Sequence, residues 1–239
     1  MSRNRNTYPQ GAGSILKTAL ALFRENGFTF SSVRQIADRA GMSLGLINHY
    51  FGSKEILGAQ CLQVIDSYVT QNIDQLVSFT QDPILYDLVA VRALFSYMQN
   101  GYQRFYLDSL EHDFFFKYLS SRPPTLINEL KRHYPIETDE DSILLFSRYM
   151  PYMLEKTLML KKAQGLFPTI SYDQVPLLIC TAAMNHFIPE ADVKPRDGEA
   201  VRLSQEIIGS LAPSVPDEFT EDFADRFGQD IRRAAGHSG

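Results

Sequence analysis

The chain has 239 residues, of which 44% are hydrophobic and 21% are charged, so it is long enough to bury a sizeable apolar core in one or two domains. Its formal net charge of −5 argues against non-specific nucleic-acid binding by the chain as a whole. The charge is uneven, however: residues 1–56 contain seven basic and three acidic side chains, whereas the remainder contains 16 basic and 25 acidic ones. We therefore expect only the N-terminal segment to contact a polyanion.

The chain begins with polar residues and contains no run of 18 apolar residues, which predicts a cytoplasmic protein with no signal peptide and no membrane span. Cys61 and Cys180 lie far apart in apolar segments, a pattern typical of buried thiols in a reducing compartment. Because no Cys or His spacing is typical of zinc, we expect neither a metal nor a cofactor.

Apolar residues recur at helical spacing from the start of the chain. A first stripe ends at Asn26-Gly27, a pair typical of a helix C-terminus. Ser31 or Ser32 can cap a second helix, which Gly41 ends, and Ser43 can cap a third. The inward stripe of the third helix consists of Ile47, Tyr50 and Phe51.

Helical patterns continue through the rest of the chain. After Gly52-Ser53, a longer helix is predicted from residue 54 to about residue 79. Prolines separate the later helical stretches, which are predicted at 83–100, 102–121, 124–133, 138–164, 171–188 and 196–211. Pro151 should kink or split the stretch that contains it. No hairpin turn and no alternation of period two indicates a strand, so the predicted fold class is all-α.

Two of the later segments have unusual patterns. The stretch 171–188 is apolar on most sides, so it needs cover from neighbouring helices or from a second subunit. The segment 213–239 carries apolar residues at four-residue spacing, which predicts a short amphipathic helix docked on the body, although its polar composition fits a disordered tail equally well. Those apolar residues are Phe219, Phe223, Phe227 and Ile231.

Residues 31–54 have the pattern of a helix-turn-helix. Ala37 is small where the second helix of the pair must cross closely, and Gly41 permits a tight turn between the two. The second helix is short, and small or polar side chains on its outer face would let its backbone approach base edges in a major groove. That outer face consists of Leu44, Gly45, Asn48 and His49.

Residues 11–58 resemble the DNA-binding domain of the TetR/AcrR family of bacterial transcriptional regulators. The resemblance rests on about 20 spaced positions, among them Ile36-Ala37, Ala40-Gly41-Met42-Ser43 and His49-Tyr50-Phe51-Gly52-Ser53-Lys54. It implies that Ser43, Leu44 and Gly45 lie closest to the bases. It also implies that DNA-backbone contacts come from Ser32, Arg34, His49, Tyr50 and Lys54.

The chain departs from the family pattern at two positions of the recognition helix. Leu44 stands where the family often has Lys, and it offers an apolar contact for a thymine methyl group in place of a hydrogen-bond donor. Asn48 stands where the family usually has Tyr, and its amide can pair with adenine or contact the backbone. With so few cations on this helix, we expect Lys54, Arg3 and Arg5 to supply much of the affinity, and Gly45 and Asn48 much of the sequence choice.

Residues 79–160 are rich in aromatic side chains, most of which are expected in the core. The resemblance implies a small-molecule inducer in this region, so an apolar or aromatic effector is expected. Candidate wall residues are Phe95, Tyr102, Phe105, Tyr106, Phe115, Tyr149 and Met153. The sequence thus predicts a DNA-binding domain at 1–56, an effector-binding and dimerisation domain at 57–212, and a tail at 213–239.

The function predicted from these features is that of a homodimeric repressor that an inducer releases from a pseudo-palindromic DNA operator. An alternative is a regulator or adaptor controlled by a protein partner, with the tail as a contact and no ligand cavity. An enzyme is disfavoured because no catalytic motif occurs and because consecutive residues such as Glu111-His112-Asp113 diverge on a helix.

Overall fold

The computed structural model describes residues 7–120 and 125–234, and these residues form helices and connecting turns with no β-strand. The all-α prediction is confirmed. The α-helices are α1 (Thr7–Asn26), α2 (Val33–Ala40), α3 (Leu44–Phe51), α4 (Lys54–Thr70), α5 (Pro83–Gly101), α6 (Gln103–Glu111), α7 (Phe114–Ser120), α8 (Thr125–His133), α9 (Glu140–Leu144), α10 (Met150–Ala163), α11 (Val175–Met184), α12 (Glu190–Val193), α13 (Asp197–Ser210) and α14 (Asp217–Ala234). None of the helices in this part of the chain is long and apolar enough to cross a bilayer.

Two predicted helices end or break earlier than their apolar pattern indicates. The helix predicted over 54–79 stops at Thr70, and a short 3₁₀ turn at Ile73–Gln75 follows. The stretch 102–121 is divided at Asp113, whose φ of +60° stops α6 and allows α7 to begin at Phe114. Asp tolerates this left-handed conformation better than most residues. Because the break depends on one backbone conformation, the spacing of apolar residues did not indicate it.

The helical stretch predicted at 138–164 changes form just before Pro151, where a kink or a split is expected. The backbone between α9 and α10 forms a π-helical turn at Leu145–Tyr149, in which the Met150 N–H donates to the Leu145 carbonyl. Pro151 follows in the first turn of α10, where its missing N–H is tolerated. The wider turn therefore accommodates the proline without a sharp interruption of the helix.

The described chain divides into two compact units. Among the described residues, the first unit contains 7–68, 101–114 and 212–234, and the second contains 69–100, 115–120 and 125–211. The tail is helical within the first unit, where α14 packs along α1. The sequence-based domain boundaries at residues 56 and 212 stay a prediction.

The second unit has ion pairs that join distant segments. Arg92 in α5 is largely buried, and its guanidinium pairs with Asp197 at the start of α13 and donates to the Asp173 carbonyl at 3.0 Å. Arg196 pairs with Asp82 at 2.9 Å. These links hold the start and the middle of α5 to the connection that leads into α13.

The expected burial of both thiols is confirmed, and burial raises the pKa of Cys61 and of Cys180.

Candidate nucleic-acid interface

The helix-turn-helix begins with a complete capping box. Ser32 Oγ accepts from the Gln35 N–H at 3.1 Å, and the Ser32 N–H donates to Gln35 Oε1 at 2.7 Å. Ser31 has another role, because its buried hydroxyl donates to the Gly27 carbonyl at 2.7 Å. Gly41 has a φ of +65° and ends α2 as predicted. The two alternatives for the cap are thus resolved in favour of Ser32.

The recognition helix α3 has an apolar inner face and an open outer face. Ile47 and Phe51 are buried, while Tyr50 is half-buried. The expected outer residues are all exposed, and Leu46, which the sequence pattern did not single out, is exposed with them. Ser43 occupies the cap position of α3 with extended backbone but makes no side-chain cap bond. The exposed outer residues are Leu44, Gly45, Asn48 and His49.

Tyr50 joins the recognition helix to the first helix of the chain. A Cβ atom on Gly11 would lie 2.7 Å from the Tyr50 hydroxyl oxygen and 3.1 Å from two ring carbons. The ring therefore packs closely over the glycine backbone at the start of α1, an approach that larger residues at position 11 would obstruct. Sequence patterns alone gave no sign of this contact, since Gly11 precedes the apolar stripe of α1.

Lys54 lies at the start of α4, as predicted, but its side chain is not fully open to solvent. Its ammonium Nζ lies 4.0 Å from the centroid of the Phe28 ring, within the range of a cation–π interaction. Partial burial lowers the pKa of this ammonium. Of the other residues predicted to contact the DNA backbone, Ser32 and Arg34 are exposed, whereas Arg3 and Arg5 lie outside the described residues.

A surface ion pair ties α2 to α1. Arg39 Nη1 and Nη2 donate to Glu25 Oε2 and Oε1 at 2.6 and 2.9 Å, a two-point contact. The hydrogen bonds from Arg39 lower the pKa of Glu25. Arg39 therefore contacts the protein itself and links α2 to α1 at the surface.

The seven residues predicted to line an effector pocket belong to two different compact units. Tyr102, Phe105 and Tyr106 lie in the first unit, whereas Phe95, Phe115, Tyr149 and Met153 lie in the second. Phe105 is fully buried and stacks on Phe23 with ring centroids 5.0 Å apart, a core position. Their common role in one pocket stays a prediction.

The aromatic group in the second unit combines buried and exposed residues. Phe115 is buried near Tyr118 and Tyr152, while Tyr149 and Met153 remain 43% and 53% exposed. The Tyr149 ring lies 4.6 Å from that of Phe116. A small aromatic molecule could stack in such surroundings. Among the residues that the structure describes, no group of three or more His, Cys, Asp or Glu side chains could hold a metal ion.

Comparison with known proteins finds a similar sequence over part of the chain and a similar fold over most of it. Over 72 residues it is 33% identical to the HTH-type transcriptional repressor KstR2 of Mycobacterium tuberculosis, a match that spans 30% of this chain and only 36% of that protein. The crystal structure of RolR in complex with resorcinol is similar with a TM-score of 0.54 at 16% identity, over 89% of this chain and 100% of that one. This likeness shows that the shared all-α fold extends well beyond the N-terminal helices.

The family resemblance seen at residues 11–58 is confirmed. Residues 15–60 match the sequence model described as bacterial regulatory proteins, tetR family. This range contains α2, α3 and the turn between them, together with most of α1 and the start of α4. In its N-terminal helices, the chain is therefore similar to the tetR family of bacterial regulatory proteins.

Proposed function

We propose that this chain is a homodimeric transcriptional repressor that binds a pseudo-palindromic DNA operator through α3. The observation that carries the proposal is the division of α3 into a buried apolar face and an exposed face of small and polar side chains. An α-helix with such a face fits a major groove, where Asn48 can pair with adenine and Leu44 can contact a thymine methyl group. The partial match to a named repressor, KstR2, supports repression over activation.

A two-fold dimer would bring two copies of α3 to successive major grooves, about 34–36 Å apart. We infer that the second unit responds to a small apolar or aromatic effector, the class to which the resorcinol in the RolR structure belongs. The preferred contacts are Phe115, Tyr149 and Met153. Tyr149 and Met153 are exposed, so an effector can reach this aromatic and sulfur-containing group. The effector would change DNA affinity only by binding one conformation more tightly than another.

The test is selection of DNA duplexes from a randomised pool with the full chain. We expect a pseudo-palindromic sequence whose half-sites are separated by one helical turn. Asn48→Ala should change the base preferred at one position per half-site and cost about 1–3 kcal/mol of discrimination there. Asp38→Ala, an exposed position on α2, serves as the control and should select the same sequence. Failure of the unmodified chain to enrich any duplex would contradict the proposal.

The alternative of a protein-controlled adaptor depends on the apolar face of the tail. Phe223 is buried, and Phe219 lies 5.1 Å from the Tyr68 ring within the same compact unit. The side chains of Phe227 and Ile231 lie outside the described residues. Because the described part of this face already has intramolecular contacts, the structure gives the adaptor no specific support.

A further inference from the structure

The C-terminal helix α14 packs along α1, which is also the first helix of the DNA-binding domain. The two helices run antiparallel, since Lys17 lies against Asp217 and Glu221, whereas Gly13, about one turn earlier in α1, lies against Glu221 and Ala224. The face of α14 toward the unit is buried at Thr220, Phe223 and Ala224.

Lys17 joins the two helices electrostatically. Its Nζ lies 3.2 Å from Glu221 Oε1 and 3.4 Å from Asp217 Oδ2. The hydrogen bond to Glu221, with further contributions from Asp217, raises the pKa of Lys17. One ammonium therefore contacts two carboxylates from successive turns of α14 and links this helix to α1.

Gly13 lets the two helices approach closely. A Cβ atom on Gly13 would lie 3.4 Å from Ala224 Cβ and 3.5 Å from Glu221 Cα, which is ordinary van der Waals contact. Branched side chains at position 13 would therefore meet the backbone of α14. Gly13 and Lys17 lie on neighbouring turns of α1. The close contact and the ion pairs with α14 therefore act together on the position of α1.

The connection into α14 is held as well. Tyr68 Oη accepts from the Ala212 N–H at 3.1 Å, and Tyr102 Oη accepts from the Val215 N–H at 3.3 Å. These bonds attach residues 212–215, which follow α13, to α4 and to the start of α6. Helix α14 is thus held at the connection that precedes it as well as at Asp217, Glu221 and Ala224.

We propose that α14 is a positioning element for DNA binding, and that Lys17, which pairs with it, is a positioning residue. The ion pairs of Lys17 and the close contact at Gly13 hold α1 where its first turns, at Gly11, support Tyr50 on the recognition helix. A displacement of α1 would move this support and with it the neighbouring Asn48 and His49. The inference rests on the proposed function and adds to it a role for the C-terminal helix.

The test is a charge exchange between Lys17 and Glu221, measured by fluorescence anisotropy with the duplex that the unmodified chain selects. Through long-range electrostatics alone, E221K would strengthen DNA binding because it adds positive charge to the DNA-binding unit. The positioning role predicts the opposite, so that K17E and E221K each weaken binding about fivefold or more. The K17E/E221K double variant keeps the net charge of the unmodified chain, and it should bind the duplex more tightly than either single variant, although the new carboxylate at position 17 lies near Asp217.

Two further variants separate positioning from general effects of charge. Gly13→Val changes no charge and should weaken binding to the same duplex, because its methyl groups would meet α14. Arg202→Glu breaks an exposed ion-paired position on α13 in the second unit and should leave affinity unchanged. Thermal unfolding of each variant is measured first. Binding is then measured at a temperature at which all variants are folded.

The outcomes distinguish this inference from the proposed function. If the unmodified chain binds no selected duplex, the proposed function fails. If the duplex is bound but E221K binds it more tightly, or the double variant shows only the sum of the single effects, the positioning role is overturned. Unchanged affinity of folded Gly13→Val would overturn it as well.

Discussion

Several charged residues near the helix-turn-helix contact the protein itself. Arg39 makes its two-point contact with Glu25, and Lys54 lies over the Phe28 ring. A sequence pattern gives the position of such a residue along a helix but not the direction of its long side chain. The structure therefore adds a packing role to residues whose charge alone suggested a solvent or phosphate partner.

The Glu25–Arg39 pair should make a pH-dependent contribution to the free energy of unfolding. The folded-state pKa of Glu25 is lowered, so this contribution is present above the unfolded pKa and is lost as pH falls through the lowered one. Since both side chains are about half exposed, we expect Glu25→Gln to cost less than about 1 kcal/mol at pH 7. In urea unfolding, the difference in free energy of unfolding between Glu25→Gln and the unmodified chain should disappear in acid. A difference that persists in acid would contradict its assignment to the ion pair. Glu218→Gln, on the exposed side of α14, serves as the control.

Lys54 should contribute to DNA binding through a phosphate. Lys54→Met removes the charge but keeps an apolar stem near Phe28, so binding to all sequences should weaken similarly. The slope of log K against log salt should flatten by about 0.9 for each phosphate that the variant no longer neutralises. The matched control is Lys162→Met, because Lys162 Nζ lies 4.6 Å from the Tyr172 ring centroid in the second unit. An unchanged salt slope for Lys54→Met would assign Lys54 to packing alone.

Among the secondary-structure elements, the helix ends depend on a few backbone conformations. Gly27 and Gly41, which end α1 and α2, both have positive φ values and were both predicted as helix ends from the sequence. Asp113 also has a positive φ, but its residue type gave no comparable signal, and the single helix predicted over 102–121 was wrong for that reason. Pro151 indicated a local change in its helix, although not that this change is a π-helical turn just before the proline.

The two glycine turns should differ in their tolerance of alanine. At Gly41 no atom lies within 4 Å of an added Cβ, so Gly41→Ala should cost only the left-handed backbone, about 1 kcal/mol. At Gly27 an added Cβ would lie 2.7 Å from Arg104 side-chain carbons and 2.8 Å from Asp108 Oδ2, which also accepts from the Thr29 N–H. Gly27→Ala should therefore cost about 2 kcal/mol or more in urea unfolding. Equal costs for the two variants would show that crowding at Gly27 is relieved freely.

In the molecule as a whole, the second unit exposes many large apolar residues. On and beside α9 and α10 these include Leu145, Tyr149, Met150 and Met153, and on α11 they include Leu178. The apolar pattern of 171–188 already predicts a need for cover from neighbouring helices or from a second subunit. Exposed apolar area of this kind is typical of an interaction surface.

Self-association should depend on this apolar surface. We expect a dimer at micromolar concentration in sedimentation velocity, and Leu178→Glu should shift the chain toward the monomer, because a charge would be buried in the interface. Leu76→Glu is the matched control, since Leu76 is an exposed apolar residue of the same unit outside these helices. A monomeric unmodified chain, or an unaffected Leu178→Glu dimer, would contradict the predicted interface.

Local sequence signals were sufficient to predict the all-α class, the helix-turn-helix at residues 31–54 and its family, because caps, turn glycines and the 3.6-residue period act over short stretches of chain. They also predicted the outward position of Leu44, Gly45, Asn48 and His49 on α3, but not that of Leu46. Packing in three dimensions was needed to show that α14 docks on α1, that Tyr50 packs over Gly11, and that the proposed effector residues are divided between two compact units. These features join segments far apart in the chain, and hydrophobic periodicity specifies which face of a helix is buried but not which partner buries it.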